Sequence, residues 1–173
     1  MSGDVWLFAY GSLIFRPDFA VEARLRAELI GWSRRFYQGS TDHRGVPGAP
    51  GRVVTLVPGG RCVGIAYRVG PRDRDRVFGY LDEREQGGYT RQEVEVRAGG
   101  ALLAATTYVA HAGNPDWIGE ADVDELARVI RRSAGPSGPN LAYALELAEA
   151  LRALDAGDEH VEAVARALLT SPA

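Results

Sequence analysis

Three carboxylates crowd one short stretch of this chain: Asp82, Glu83 and Glu85 stand just before Gly87-Gly88, and Tyr89 opens a β-rich run. A carboxylate at the end of a helix-like segment, braced by the strand that follows, is a candidate general base. Leu81 and Tyr89 flank the turn with apolar bulk, which desolvates a carboxylate and raises its pKa, as a base working near neutral pH requires. The glycine pair gives the backbone freedom to approach a ligand closely. The bland reading is a solvated helix end beside Arg84. Spacing alone does not choose between Glu83 and Glu85.

A second segment, Phe8-Ala9-Tyr10-Gly11-Ser12-Leu13, runs an apolar strand straight into a glycine turn. Such a turn points successive N–H groups to one side and forms an anion-binding concavity. Ser12 lacks the Gly-x-Ser-x-Gly surroundings of a hydrolase nucleophile, and the dinucleotide and phosphate-loop patterns are missing too. Tyr10, Gly11, Ser12 and Leu13 therefore read as donors for an oxyanion or carboxylate. Ser40, Asp42 and His43 stand too close in sequence to align as a catalytic triad; Asp42, His43 and Arg44 are expected to brace a long loop or shape a pocket rim. Tyr143, one turn into a helix, is a candidate substrate contact, with Ser137 and Asn140 as weaker ones. Arg34, Arg35 and Arg52 are candidates to pair with a substrate carboxylate.

Composition narrows the chemistry. All 20 basic residues are arginine, so no lysine is available as a Schiff base or nucleophile. One cysteine, Cys62, and three histidines in separate settings make an intrachain disulfide impossible and a zinc site improbable; Cys62 reads as a core residue. A net charge of −3 gives no footprint for nucleic acid or an anionic membrane. No apolar run reaches spanning length and the N-terminus has no signal-peptide pattern, so a cytoplasmic location is expected. The length, 173 residues, suits one domain over residues 1–173.

The elements that must position these groups follow from pattern. Strands are expected at Val5–Ala9 and over residues 28–37, then a loop from Gln38 to Gly51 rich in glycine and proline. Strands at Arg52–Val57 and Arg61–Val69 flank Pro58-Gly59-Gly60, which reads as a hairpin turn. A helix from Pro71 to Leu81 precedes two strands, Tyr89–Ala98 and Ala101–Ala110. Helices follow over Ala121–Ser133, from Asn140 as a cap to about Asp155, and from Asp158 to Leu169. Strands first and helices last describe an α+β fold whose sheet or barrel is covered by helices.

These residues also carry a resemblance. Phe8 to Ile14, the run Gly31-Trp32-Ser33-Arg34-Arg35-Phe36-Tyr37-Gln38-Gly39-Ser40-Thr41-Asp42-His43-Arg44-Gly45, Pro50 to Leu56, Tyr80 to Tyr89, Asn114-Pro115-Asp116 and Gly135 to Asn140 are similar to the ChaC-like γ-glutamylcyclotransferases, which act on glutathione. The resemblance implies a small closed β-barrel flanked by helices, with a helical C-terminal third. It implies Glu85 as general base, Tyr10 to Leu13 as the loop that binds the γ-glutamyl group, and no metal or cofactor. The implied reaction is attack of the substrate α-amine on its own γ-carbonyl, giving 5-oxoproline and cysteinylglycine. Other γ-glutamyl amines or amino acids as substrates, or non-catalytic binding of γ-glutamyl peptides, are the alternatives. Ala9, Phe15 and Gln86 depart from the family's usual glycine, tryptophan and lysine; none removes a group the reaction needs.

Overall fold

The computed structural model describes residues 3–170. β1 (Val5–Ala9) buries Leu7, Phe8 and Ala9, and pairs antiparallel with the end of β3 (Gly51–Val69), from Val5↔Val69 to Ala9↔Ile65. β2 (Ala23–Ser40) lies antiparallel to β3 from Ala23↔Arg68 to Ser40↔Gly51. β4 (Tyr89–Ala98) and β5 (Ala101–Ala110) form a hairpin through Gly99 and Gly100, whose φ of 57° and 79° are the left-handed values a two-residue turn needs. A parallel contact at Leu7↔Thr106 joins β5 to β1, and the strands close as a barrel in the order β1-β3-β2-β4-β5. The barrel implied by the resemblance is thus present.

Pro58-Gly59-Gly60 is not the expected hairpin turn: β3 runs through it without reversing. Gly59 and Gly60 take φ of 101° and 77°, Gly31 on the facing strand takes 93°, and the register shifts between Ile30 and Trp32. This is a bulge that bends both strands so that the sheet can curl shut. A proline–glycine–glycine run permits either outcome, and pairing with β2 on both sides of it decides. The expected strand over 28–37 is the middle of this longer β2. The reversal between β2 and β3 falls at residues 41–50, inside the expected loop.

α1 (Arg74–Arg84) begins later than expected, because Pro71 sits inside a turn closed by the Asp73 N–H on Gly70 O at 3.1 Å. α2 (Val123–Arg132) is capped by Asp122, whose side chain accepts the Glu125 N–H at 2.8 Å. β6 (Ala134–Gly135) and β7 (Gly138–Pro139) pair as a small ribbon leading into α3 (Asn140–Ala153). Asn140 does not cap α3 with its side chain. Its Oδ1 accepts the Arg52 N–H at 2.7 Å and its Nδ2 donates to Arg52 O at 2.9 Å, so it fastens the start of α3 to β3 as a strand would. α4 (Glu159–Thr170) packs with α2 and α3 against the barrel. Among the described residues no helix is long and apolar enough to cross a membrane.

Candidate active site

β1 ends at Ala9, and the chain enters a buried Tyr10, then Gly11, then a single 3-10 turn at Ser12–Ile14. Three anchors hold this loop. Tyr10 Oη donates to Tyr108 O at 2.5 Å, Arg34 Nε donates to Tyr10 O at 2.7 Å, and Tyr67 Oη donates to Leu13 O at 2.8 Å. Arg34 is in turn paired with Asp158 at 2.5 Å, so the start of α4 steadies the loop from below. The Ile14 N–H bonds Gly11 O at 3.0 Å. No acceptor among the described residues takes the N–H groups of Gly11, Ser12 or Leu13, which are the uncommitted donors that open a helical turn. Leu13 sends its side chain into the core and offers only its backbone. A Cβ on Gly11 would stand 3.2 Å from Val54 Cγ2 and 3.5 Å from Tyr143 Oη, so glycine keeps this approach open.

Glu85 terminates α1, its N–H on Leu81 O at 2.8 Å. The chain then turns through Gly87 and Gly88. Gln38 Nε2 donates to Gly87 O at 2.8 Å, and a Cβ on Gly88 would come within 2.6 Å of Asn114 Oδ1, so Gln38 and Asn114 press this turn into place. Burial raises the pKa of the Glu85 carboxyl; the positive charge of Arg84 and the His43 ring oppose that, and Asp42 adds to it. The neighbouring carboxylates fare differently. Asp82 turns outward to a two-pronged pair with Arg91 and accepts Tyr108 Oη at 2.7 Å, and the Arg91 hydrogen bond, then that of Tyr108, holds its carboxyl below the usual range. Glu83 is exposed on the pocket rim.

Two connected chambers meet at Ser12, Glu85, Tyr89 and Tyr143. The inner one, about 50 Å³, is lined by the Tyr10–Leu13 loop, Val54, Thr107 and Tyr108. The outer one, about 400 Å³, carries Arg16, Asp18, Asp42, His43, Arg44 and Arg84. Desolvation keeps the inner phenols neutral: Tyr10 and Tyr89 are pushed well above their ordinary value and Tyr143 to about 12. Tyr89 Oη donates to Val54 O at 2.7 Å, whereas Tyr143 Oη accepts the Val54 N–H at 3.2 Å. The Tyr143 hydroxyl hydrogen therefore stays available to a ligand.

The six residues singled out in the sequence, Tyr10, Gly11, Ser12, Leu13, Glu85 and Tyr143, all border the inner chamber. The candidate arginines do not reach it. Arg34 and Arg52 are buried structural residues, Arg52 bonded to Phe36 O and Gly119 O, and Arg35 donates back to Arg34 O. Asn140 is likewise part of the scaffold, while Ser137 lies on the outer rim. Ser40 forms no triad; its Oγ accepts the Arg44 N–H at 2.9 Å. His43 Nε2–H donates to Arg84 O at 3.1 Å, and its Nδ1 lies 3.0 Å from Ser137 Oγ. Cys62 is a core residue whose thiol burial pushes up to about 11. Sequence reasoning missed the Arg84 side chain and the Tyr89 hydroxyl as parts of the site. Their places directly beside Glu85 and directly after Gly87-Gly88 were the available signals. Among the described residues no cluster of His, Cys, Asp or Glu is arranged to hold a metal ion.

A five-stranded closed barrel with this helical cover defines the γ-glutamylcyclotransferase-like fold. The chain is similar to the crystal structure of a yeast γ-glutamyl cyclotransferase specific to glutathione, with a TM-score of 0.92 at 30% identity, covering 98% of this chain and 96% of that one. The chain belongs to the ChaC-like protein family, whose model matches residues 5–170. It is 41% identical over 175 residues to human glutathione-specific γ-glutamylcyclotransferase 1, covering 96% of this chain and 79% of the human one. It is 33% identical to the glutathione-specific γ-glutamylcyclotransferase of Saccharomyces cerevisiae, with 85% of each chain covered.

Proposed function

We propose that this chain is a glutathione-specific γ-glutamylcyclotransferase that cleaves glutathione to 5-oxoproline and cysteinylglycine. The observation that carries this reading is the desolvated Glu85 carboxyl bordering the same small chamber as the uncommitted N–H groups of Gly11, Ser12 and Leu13. The names of the relatives point to the same activity. The γ-glutamyl group lies where the two chambers meet, its γ-carbonyl toward the Gly11–Leu13 loop, and the wider outer chamber takes cysteinylglycine. A soluble enzyme of the cytoplasm fits a chain whose one cysteine is unpaired.

The substrate supplies its own nucleophile. Its α-amine attacks the γ-carbonyl carbon, a C–N bond closes the five-membered ring, and the amide bond to cysteine breaks. Glu85 takes a proton from the attacking nitrogen and returns it to the departing one, a role worth roughly 10²–10⁴ in rate. The loop N–H groups and the Tyr143 hydroxyl steady the carbonyl oxygen as it gains charge, each such donor contributing about 3–4 kcal/mol. The pocket folds the γ-glutamyl chain so that nitrogen and carbon lie about 3–3.5 Å apart.

Chromatography of 5-oxoproline from purified protein tests this, with glutathione and with γ-glutamyl-alanine, alongside Glu85→Gln. Product from glutathione, lost in the folded variant, is the expected result. Turnover retained by Glu85→Gln removes Glu85 from the base role, and product mainly from γ-glutamyl-alanine replaces glutathione as substrate.

A further inference from the structure

We infer that Arg84 is a positioning residue for this reaction: its guanidinium locks the Gly11–Leu13 loop to the helix end that carries Glu85 and so fixes the base relative to the donors. The inference rests on the cyclotransferase reading of the site. Arg84 Nη2 donates to Ser12 Oγ at 2.9 Å, and Nη1 donates to Arg16 O at 3.1 Å. One side chain therefore grips both ends of the 3-10 turn. Nη1 also donates to Tyr80 Oη at 3.2 Å, one turn back along α1. The Arg84 carbonyl accepts the His43 Nε2–H, and His43 reaches Ser137. The loop after β1, the β2–β3 loop and the β6–β7 ribbon thus converge on the residue next to the base.

The ordinary role of such an arginine is to neutralise the carbonyl end of a helix, as a basic group in the last turn does. The observed contacts go further. The Arg84 side chain is only 16% exposed, and its nearest carboxylate, Asp18, is 64% exposed and 3.7 Å away. Its bonding is spent on the loop. The groups that bear on Glu85 come from several neighbouring elements: Arg84 on α1, Asp42 and His43 on the β2–β3 loop, Tyr10 after β1, Tyr89 on β4 and Tyr143 on α3; Glu83, Arg16, Asp18 and Arg44 line the same outer chamber. Of the charges that favour the ionised carboxylate, Arg84 ranks first. Removing it thus does two separable things: it frees the loop and it makes Glu85 harder to ionise.

The test is the pH profile of kcat/KM with glutathione for the wild type, Arg84→Gln, Arg84→Lys, Ser12→Ala and the Gln/Ala double variant, with thermal melts to confirm folding. A ¹³C-carboxyl NMR titration of Glu85 in the wild type and Arg84→Gln reads the same residue without turnover. Arg84→Gln is expected to lower the plateau about a hundredfold, the scale of a small misplacement of reacting groups, and to move both the acid limb and the Glu85 titration to higher pH. Arg84→Lys keeps the charge but not the two-pronged grip, so its limb stays near that of the wild type while its plateau falls. Ser12→Ala lowers the plateau without moving the limb, and the double variant falls little below Arg84→Gln, as one shared contact requires. A wild-type limb and plateau in folded Arg84→Gln, or losses that simply multiply in the double variant, would overturn the inference. A wild type that makes no 5-oxoproline defeats the cyclotransferase reading instead. The NMR titration then decides: a Glu85 titration unmoved by Arg84→Gln overturns the role of Arg84 at the base, and a rise supports it.

Discussion

The two chambers of the pocket are built from opposite materials. The inner one is small and aromatic, with Tyr10 and Tyr89 spending their hydroxyl hydrogens on the backbone. The outer one is ionic and wider, with Arg16, Asp18, Asp42 and Arg84 around its wall. Glu85 sits at the junction and answers to both: burial pushes its carboxyl toward the neutral form, and Arg84 and His43 pull it back. A low-dielectric chamber strengthens every donor in it, whereas charges in open water are screened and contribute little each. The inner chamber is therefore suited to chemistry and the outer one to holding the remainder of a peptide.

The largest effect expected is at the junction. Glu85→Gln keeps the shape and removes the proposed base, and 5-oxoproline formation should fall by at least about a hundredfold; a folded Gln variant with near-normal turnover would dissolve the distinction between the chambers. Next comes Gly11→Ala, whose methyl would enter the space between Val54 and Tyr143. Steady-state kinetics should show kcat/KM lower by about tenfold to a hundredfold with the melting temperature little changed. Tyr143→Phe removes the acceptor of the buried Val54 N–H, so denaturant unfolding should show a loss of about 1–3 kcal/mol, together with slower turnover. A stable Phe variant would show that water reaches the inner chamber.

A smaller effect concerns pH and stability. Glu85 has its pKa raised on folding above the ordinary 4.5, so the folded state binds its proton more tightly than the unfolded chain does. Its contribution to stability is full below about 4.5 and declines as pH rises through the folded value. Thermal melts should find Glu85→Gln more stable than the wild type at pH 8, with the gap closing as pH falls toward 4.5. The smallest effect belongs to the outer chamber. Raising salt from about 50 to 500 mM should raise KM and leave kcat nearly unchanged, because screening acts on exposed charges; an equal fall in kcat would extend ionic control inward.

Several features of this arrangement were legible without coordinates. The strands at Val5–Ala9, Tyr89–Ala98 and Ala101–Ala110 appear at the expected boundaries. The three C-terminal helices appear within a few residues of theirs. Gly11 and Gly87-Gly88 marked the two turns that border the pocket. Other segments read wrongly or stayed ambiguous. Pro58-Gly59-Gly60 has the composition of a turn, and only its pairing with β2 on both sides makes it a bulge. Asn140 has the type of a helix cap, yet it bonds to Arg52 across 88 positions of chain. Arg34, Arg35 and Arg52 looked equivalent as free cations, and burial in the core sets Arg34 and Arg52 apart.

The sequence by itself determined the kind of most elements, the absence of a lysine or a second cysteine, and, through its resemblance, the family and its barrel. These follow from periodicity, composition and motif, which are local properties of the chain. The tertiary structure decided which neighbouring carboxylate is desolvated and which arginines face the pocket. It sends Asp82 outward to Arg91 and Tyr108, and gathers Tyr10, Tyr89 and Tyr143 around Glu85. Desolvation and charge depend on every atom nearby in space, and those atoms come from β1, β4, α1 and α3, segments whose approach no local pattern encodes.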